Sequence, residues 1–222
     1  MKEYKTEQIR NICLSGHTSS GKTSLVEALL YNMKVIDRMG NVDDGNTASD
    51  YDEEEISRKV SINSTVLPFE FKDCKINMMD LPGYRDFISE VKGVVRVSEA
   101  MVVTLDATSG VEVGTEFATE YAAEYGLPMA FYVNKMDKER ADFEKTLQSL
   151  KDELNIRALP LTLPAGKEDS FSGVVDLIRM KLVKEENGKQ TTGPIPDDMK
   201  EQAEAAHAEL VETAAEGDDE LT

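Results

Sequence analysis

The feature that most restricts how this chain can fold is the stretch of residues 16–23, which reads GHTSSGKT. It fits the pattern G-x-x-x-x-G-K-[ST] of a phosphate-binding loop, or P-loop, which joins a strand to a helix. The apolar residues 9–14 predict the strand before the loop, and apolar positions at helical spacing in residues 24–31 predict the helix after it. Glycines let backbone N–H groups turn toward phosphate oxygens, and the helix adds its positive N-terminal end. The sequence therefore predicts a phosphate site at the start of an α/β domain.

Two side chains of this loop have predicted roles of their own. Lys22 is placed to reach the β- and γ-phosphates of a nucleotide, and the hydroxyl of Thr23 is placed to bind Mg²⁺. The alternative interpretation is a chance glycine-rich turn. The predicted strand before the loop and helix after it disfavour that alternative.

Composition narrows the class of protein. A length of 222 residues suits one to two domains with a buried core. No apolar run approaches the roughly 20 residues of a membrane span, and the N-terminus does not resemble a signal peptide. Cys13 and Cys74 lack metal-ligand spacing, which indicates structural thiols in a reducing cytosol. Because the net charge is −18, broad, non-specific binding of nucleic acid is disfavoured. We expect a cytoplasmic protein with no membrane partner and no direct sequence-specific contact with nucleic acid.

A second site is predicted after a hairpin. Residues 35–50 predict a loop, and residues 50–55 (DYDEEE) are an acidic run that is either a solvated face or a mobile switch segment. Residues 61–71 and 75–80 predict two strands joined by a tight turn, and the second strand ends in the sequence DLPG. Its first and last residues are Asp80 and Gly83. A carboxylate at a strand end, followed by a glycine N–H that can approach a γ-phosphate, suits Mg²⁺ binding and nucleotide sensing.

The third predicted site reads the base of a nucleotide. Residues 100–105 and 129–133 predict core strands with a helix over residues 114–125 between them, and NKMD follows the second strand. Strands alternating with helices predict a mostly parallel sheet, with ligands at the carboxyl ends of its strands. The carboxylate of Asp137 can accept two hydrogen bonds at once, which matches the neighbouring N1–H and N2–H₂ donors of guanine. Adenine lacks this donor pair, so we expect a guanine nucleotide.

The last part of the chain has a different character. Residues 142–154 predict an amphipathic helix, and residues 159–164 and 174–183 predict short strands. Residues 198–215 predict an acidic, alanine-rich helix. Its face is either solvated or a docking surface, and the charge pattern alone favours the solvated face.

The three motifs, in this order, resemble those of a translational GTPase. Further stretches resemble elongation factor G, namely residues 9–12 (IRNI), 29–31 (LLY), 134–142 (NKMDKERAD) and 171–177 (FSGVVDL). The resemblance covers essentially the whole chain. It implies a P-loop GTPase domain over residues 1–158, with a mostly parallel sheet flanked by helices, and part of an α+β insertion subdomain over residues 159–222. It also implies GTP or GDP and Mg²⁺ as ligands.

The resemblance further implies a partner and an activity. The partner is the ribosome, with the insertion as a contact for the ribosomal stalk. The activity is ribosome-dependent GTP hydrolysis coupled to movement of transfer RNA and messenger RNA. By position, Mg²⁺ is held by Thr23 and Ser61, with Asp80 acting through water, and Gly83 and Tyr84 occupy the catalytic position. The GTP-binding residues are Gly16, His17, Thr18, Ser19, Ser20, Gly21, Lys22, Thr23, Ser24, Asp80, Gly83, Asn134, Lys135 and Asp137.

Four positions depart from the family pattern. Ser19 replaces an Asp that serves a monovalent cation, Thr18 replaces a bulky aliphatic residue, and Lys59 replaces the glycine of the switch region. Tyr84 replaces the histidine that orients the attacking water, as in the divergent second form of elongation factor G. A phenol has a pKa of about 10, so it is neutral at pH 7 and cannot supply the charge of an imidazolium. These departures predict slow hydrolysis with nucleotide binding retained.

Other functions remain open from the sequence. They are a GTP-binding ribosome binder that does not hydrolyse, a ribosomal protection protein or class-3 release factor, and a P-loop ATPase, which Asp137 disfavours. In the family, a last guanine-contacting loop, a final strand and a closing helix follow the insertion, and residues 1–222 contain no counterpart of them. We therefore expect the sequence to be a piece of a longer protein, with an incomplete nucleotide domain.

Overall fold

A computed structural model of the chain describes residues 2–186 and 188–216. It divides into two compact units, Met1–Asn134 and Lys135–Thr222, which are described separately below. The boundary predicted from the family resemblance, between residues 158 and 159, concerns an insertion rather than compactness and stays a prediction.

The first unit is built on a five-stranded sheet with the order β2-β3-β1-β4-β5. The β2–β3 pair is antiparallel, and the other three pairs are parallel. The strands are β1 (Ile9–Gly16), β2 (Thr65–Phe71), β3 (Cys74–Asp80), β4 (Ala100–Asp106) and β5 (Met129–Asn134). The helices are α1 (Lys22–Asn32), α2 (Glu53–Arg58), α3 (Ile88–Val95) and α4 (Val113–Glu124).

Alternating side chains of the central strands fill two cores, one on each face of this sheet. Leu14 and Met78 belong to a cluster with Val26 and Leu30 of α1. Their chain neighbours Cys13 and Met79 belong to a cluster with residues of α3 and α4. Successive strand residues point to opposite faces, so apolar residues at adjacent positions indicate a strand that is buried on both sides. Because β1 and β3–β5 run parallel, their carboxyl ends share one edge of the sheet, where β1, β3 and β5 lead into the three predicted motifs.

One predicted strand is shorter than expected, for a local reason. The pattern of residues 61–71 predicts a continuous strand, but β2 begins only at Thr65. The backbone N–H groups of Ile62 and Asn63 donate to the side-chain carboxylate of Glu55 instead of to a neighbouring strand. A side-chain acceptor therefore replaces the sheet ladder over this stretch.

The second unit contains a four-stranded antiparallel sheet with the order β6-β7-β8-β9. Its elements are α5 (Phe143–Leu154), β6 (Thr162–Ala165), β7 (Gly173–Asp176), β8 (Lys181–Glu186), β9 (Lys189–Gly193) and α6 (Lys200–Ala215). Ala203 of α6 is fully buried in a cluster with Leu163, Val175, Leu177 and Leu182. The acidic helix therefore buries one face against the sheet, and its other face carries the charge.

The single strand predicted over residues 174–183 is wrong, because these residues form a hairpin of β7 and β8. The carboxylate of Asp176 accepts hydrogen bonds from the backbone N–H groups of Ile178 and Arg179. Met180 then adopts a left-handed conformation with φ 52°. These local contacts reverse the chain, and the apolar pattern alone does not reveal them.

The predicted fold class is confirmed: a mostly parallel α/β sheet flanked by helices, and an α+β subdomain after it. Among the helices of the described residues, none combines the length and the apolar composition needed to cross a membrane.

Candidate functional site

The P-loop joins β1 to α1 through a backbone that leaves no room for side chains at two glycines. Gly16 has a φ of +136°, and a Cβ there would lie 2.5 Å from the backbone oxygen of Thr104. Gly21 has a φ of +98°, and a Cβ there would collide with the side-chain amide of Asn134. Ser19 also takes a left-handed conformation, with φ 59°. The loop therefore has the tight turn that its sequence predicts.

The side chain of Lys22 lies against this loop. Its Nζ donates to the backbone oxygens of Gly16 and His17, over 3.1 and 2.8 Å. Burial lowers the pKa of the Lys22 ammonium to about 8, although the carboxylates of Asp80 and Asp50 raise it. At neutral pH the ammonium is therefore mostly protonated, and it can exchange carbonyl oxygens for the oxygens of a phosphate.

The three residues predicted to serve a metal ion form one hydrogen-bonded cluster. The hydroxyl of Thr23 donates to Oδ2 of Asp80 over 2.8 Å and lies 3.2 Å from the hydroxyl of Ser61. Ser49 donates to the same Asp80 oxygen over 2.7 Å. Burial raises the pKa of the Asp80 carboxyl, and these hydrogen bonds and the Lys22 charge lower it in part. One small ion can therefore be reached by all three predicted residues.

The other carboxylate oxygen of Asp80 fits a hydrated magnesium ion. Oδ1 is buried and has no hydrogen-bond partner among the described residues. A buried oxygen without a partner is costly, and a metal-bound water is a donor that would remove this cost. Mg²⁺ prefers oxygen ligands and keeps several of its waters. The cluster thus fits Mg²⁺ bound directly by the hydroxyls of Thr23 and Ser61 and through water by Asp80.

Asp50 is a further buried acid in this region that the sequence did not single out. It is only 5% exposed and lines the same cleft as Lys22. Desolvation raises the pKa of its carboxyl to about 6, against the hydrogen bond with Ser61, and the nearby charge of Asp80 raises it further. It is the first residue of the acidic run noted in the sequence. A run of acidic residues does not show which of them turns inward.

These residues surround a cleft of about 300 Å³, called the P-loop cleft here. On the P-loop side its wall consists of Thr18, Ser19, Gly21, Lys22, Thr23 and Ser24. The segment between α1 and β2 supplies Asn41, Val42, Asp43, Asp50, Lys59, Val60 and Ser61. Gly83 completes it. The lining is mostly polar and includes backbone amides, as a phosphate site requires.

Gly83 and Tyr84 are placed differently relative to this cleft. A Cβ on Gly83 would lie 2.7 Å from both the Nζ of Lys22 and the backbone nitrogen of Thr18. Only glycine therefore allows this approach. Tyr84 is 43% exposed and lines a second, small crevice with Arg85 and Phe117, and Gly83 lines both this crevice and the P-loop cleft. Tyr84 is not among the residues that line the P-loop cleft, so its predicted catalytic role stays a prediction.

Two other P-loop residues are held by neighbouring elements. His17 accepts a hydrogen bond at Nδ1 from the backbone N–H of Gly114, so a neutral ring carries its proton on Nε2, 3.5 Å from the Glu112 carboxylate. The hydroxyls of Ser20 and Thr104 lie 2.8 Å apart, and both are buried. The loop is thus fixed from α4 and from β4.

The base-reading motif begins at the end of β5. Nδ2 of Asn134 donates to the backbone oxygen of Ser20 over 2.9 Å, which ties β5 to the P-loop. Lys135 follows in a left-handed conformation with φ 61°. The side chain of Asp137 is 63% exposed, and its carboxylate lies 3.4 Å from the ammonium of Lys138. Asn134 therefore has a supporting contact, and the Asp137 carboxylate is accessible to a ligand.

Two buried glutamates, neither of them predicted, hold the segment between α1 and β2. Glu27 of α1 accepts hydrogen bonds from the backbone N–H groups of Gly40 and Ala48. Glu55 of α2 accepts two backbone N–H bonds just before β2, both at 2.9 Å. Each side chain is 1% exposed. These carboxylates keep the residues that line the cleft in a defined conformation.

Comparison with known families decides what kind of domain this is. The matching family model is described as "Elongation factor Tu GTP binding domain", and the match covers residues 7–219. The chain belongs to this family. Its P-loop, its mostly parallel sheet and its antiparallel subdomain are therefore those of a GTP-binding domain of the translational type.

Individual relatives give the same result. The chain is 40% identical over 217 residues to an elongation factor G from Granulibacter bethesdensis and 38% identical over 215 residues to one from Mycoplasma pneumoniae. Each alignment covers 96% of this chain and 31% of the relative, so the chain spans about a third of the length of these relatives. A crystal structure of a protein from Thermus thermophilus superposes with a TM-score of 0.91 at 34% identity, over 96% of this chain and 32% of that one.

Proposed function

We propose that this chain binds GTP and GDP with Mg²⁺ and forms the GTPase part of a translation factor similar to elongation factor G. The observation that carries the proposal is the cluster of Thr23, Ser61 and Asp80 beside the buried Lys22, in a polar cleft behind a P-loop. Mg²⁺ held by these residues would neutralise charge on the β- and γ-phosphates. The chain contributes a cation, oriented hydroxyls and the backbone amides of the loop.

The proposed base is guanine. Asn134 supports the P-loop, and Asp137 offers an accessible carboxylate three residues later. A carboxylate accepts the two adjacent donors of guanine and finds no such pair on adenine. Lys135, between them in the motif, has the aliphatic stem that can pack along a planar base.

The proposed setting is the ribosome in the cytoplasm. The identity to elongation factor G supports a role in translocation of transfer RNA and messenger RNA. The insertion predicted over residues 159–222 is the proposed contact for the ribosomal stalk. A ribosomal protection protein or a class-3 release factor is the alternative within the same superfamily. A second candidate is a GTP-binding ribosome binder that does not hydrolyse. It is favoured by Tyr84, which replaces the histidine of the family and is not among the residues that line the P-loop cleft.

The binding proposal is tested by titrating fluorescent GDP, GTP and ADP with the purified chain, in Mg²⁺ and in EDTA. We expect saturable binding of GDP and GTP that weakens in EDTA, and no competition from excess ADP. Equal binding of ADP would contradict the role given to Asp137, and binding that EDTA does not change would contradict the metal site.

A change at Tyr84 tests whether this residue makes GTP hydrolysis slow. A neutral phenol can hydrogen-bond the attacking water but adds no positive charge near the γ-phosphate oxygens. Orientation and electrostatics supply most of the catalysis of phosphoryl transfer. We expect Tyr84→His to raise ribosome-stimulated GTP turnover about tenfold, or about 1.4 kcal/mol in barrier. The measurement is release of labelled phosphate by the full-length protein with ribosomes. Fast turnover by the Tyr84 protein that the histidine does not improve would refute it.

A further inference from the structure

Lys59 has a backbone conformation that is unfavourable for any residue with a side chain. It ends α2 in the left-handed region, with φ 56° and ψ 42°. This region is costly for residues with a Cβ and free for glycine. Strain of this kind at the edge of a binding cleft suggests a use for the side chain.

The position of Lys59 points to that use. It lines the P-loop cleft, and among the described residues of its wall only Lys22 and Lys59 carry a positive charge. Its Nζ lies 3.6 Å from Oδ1 of Asp43, which lines the same cleft. Ser61, two residues further on, pairs with Thr23. The ammonium is thus paired with an acid of the cleft wall, and the Lys59 side chain in this ion pair is 53% exposed.

The charges of a bound nucleotide and of the cleft favour a second cation. A nucleoside triphosphate brings about four negative charges, of which Mg²⁺ and Lys22 together offset about three. The carboxylates of Asp43 and Asp50 line the cleft and oppose an anion. An exposed pair of Lys and Asp is weak, and a charge-assisted bond to a phosphate is stronger. Exchange of Asp43 for phosphate is therefore favourable for Lys59.

We propose that Lys59 is a second cationic ligand for the phosphates of the bound nucleotide and leaves Asp43 to reach them. The inference rests on the proposed function, since it concerns the same cleft. It assigns a role to a residue that departs from the glycine of the resembling family.

The chain offers a matched control for the test. Lys34 is also left-handed, with φ 58°, is exposed, and is not among the residues that line the cleft. Both Lys59→Gly and Lys34→Gly should raise the thermal midpoint of the apo chain, because both relieve the same backbone strain. Only Lys59→Gly should weaken GDP and GTP binding, by about 3–10-fold at low ionic strength and less at high ionic strength. Lys59→Gln should weaken binding similarly, which excludes glycine flexibility as the cause.

The measurements are the affinities of fluorescent GDP and GTP for these variants and for Lys22→Ala. Nucleotide affinity that falls while stability rises supports the proposal, since a merely structural residue would change both in the same direction. Unchanged affinity of both Lys59 variants, or a loss that salt does not reduce, overturns it. Lys22→Ala separates the two claims: if it binds GDP as the natural sequence does, the proposed function fails, and if only the Lys59 variants are unaffected, the present inference fails alone.

Discussion

Asp137→Asn is expected to shift the base preference of this chain from guanine to xanthine. The amide presents a donor NH₂ where guanine also presents donors, whereas xanthine presents an oxygen acceptor at that edge. A polar group left unpaired in a closed complex costs about 1–3 kcal/mol, which is a loss of roughly 5- to 150-fold in affinity for GDP. Affinity for XDP should rise over the same range, because the new donor finds an acceptor.

The test is a parallel titration of GDP and XDP with both proteins. Glu139→Gln is the control. Glu139 is exposed and lies two residues after Asp137, so this change removes the same charge outside the predicted base contact. We expect the control to bind GDP as the natural sequence does. If Asp137→Asn binds GDP unchanged, Asp137 does not read the base.

Asp80→Asn is expected to lower the affinity for Mg²⁺ about 10- to 100-fold in the presence of nucleotide, as is typical when an outer-shell partner of a metal is lost. In the natural chain, Oδ2 accepts from Thr23 and Ser49 while Oδ1 has no partner among the described residues. An amide keeps one acceptor for the two hydroxyls but has no charge and turns a donor toward the metal-bound water. Because burial already raises the pKa of this carboxyl, a neutral side chain should not destabilise the apo fold.

This prediction is measured as GDP affinity against free Mg²⁺ concentration. Asp73→Asn is the control, because Asp73 is an exposed acid in the turn between β2 and β3, where the metal cluster does not reach. The apo variants should unfold at similar temperatures. An identical Mg²⁺ dependence for Asp80→Asn and the natural chain would remove Asp80 from the metal site.

The elements that position the site were accessible from the sequence because each is marked by its pattern of apolar residues. The strands that end at residues 16, 80 and 134 contain adjacent apolar residues, and a polar motif begins where each strand ends. The parallel arrangement then brings these ends to one edge, as the alternation of strands and helices predicts. The structure accordingly brings Thr23, Ser61 and Asp80, which the sequence analysis assigned to Mg²⁺, into one hydrogen-bonded cluster, and their role in metal binding stays a prediction.

The features that the sequence did not show depend mainly on side chains that bind backbone N–H groups elsewhere in the chain. Glu27 and Glu55 look like ordinary helical glutamates, and nothing in their spacing indicates that each binds backbone N–H groups many residues away. The late start of β2 follows from that unrecognised contact. The hairpin within residues 174–183 was missed because apolar residues occur before, within and after its turn, so the apolar pattern shows no break. Asp50 was noted only as part of an acidic run, since burial is decided by the path of the loop.

The buried glutamates also determine how the segment between α1 and β2 can open. Each carboxylate is buried, so every N–H donor that is released leaves it with fewer hydrogen bonds in the interior, which is costly. Partial fraying is therefore disfavoured. All the amides bound to one glutamate therefore open together. Residues 40–48, held by Glu27 of α1, form one cooperative unit, and residues 62–63, held by Glu55 of α2, form another. Amide hydrogens within each unit should show a common free energy of opening in hydrogen exchange.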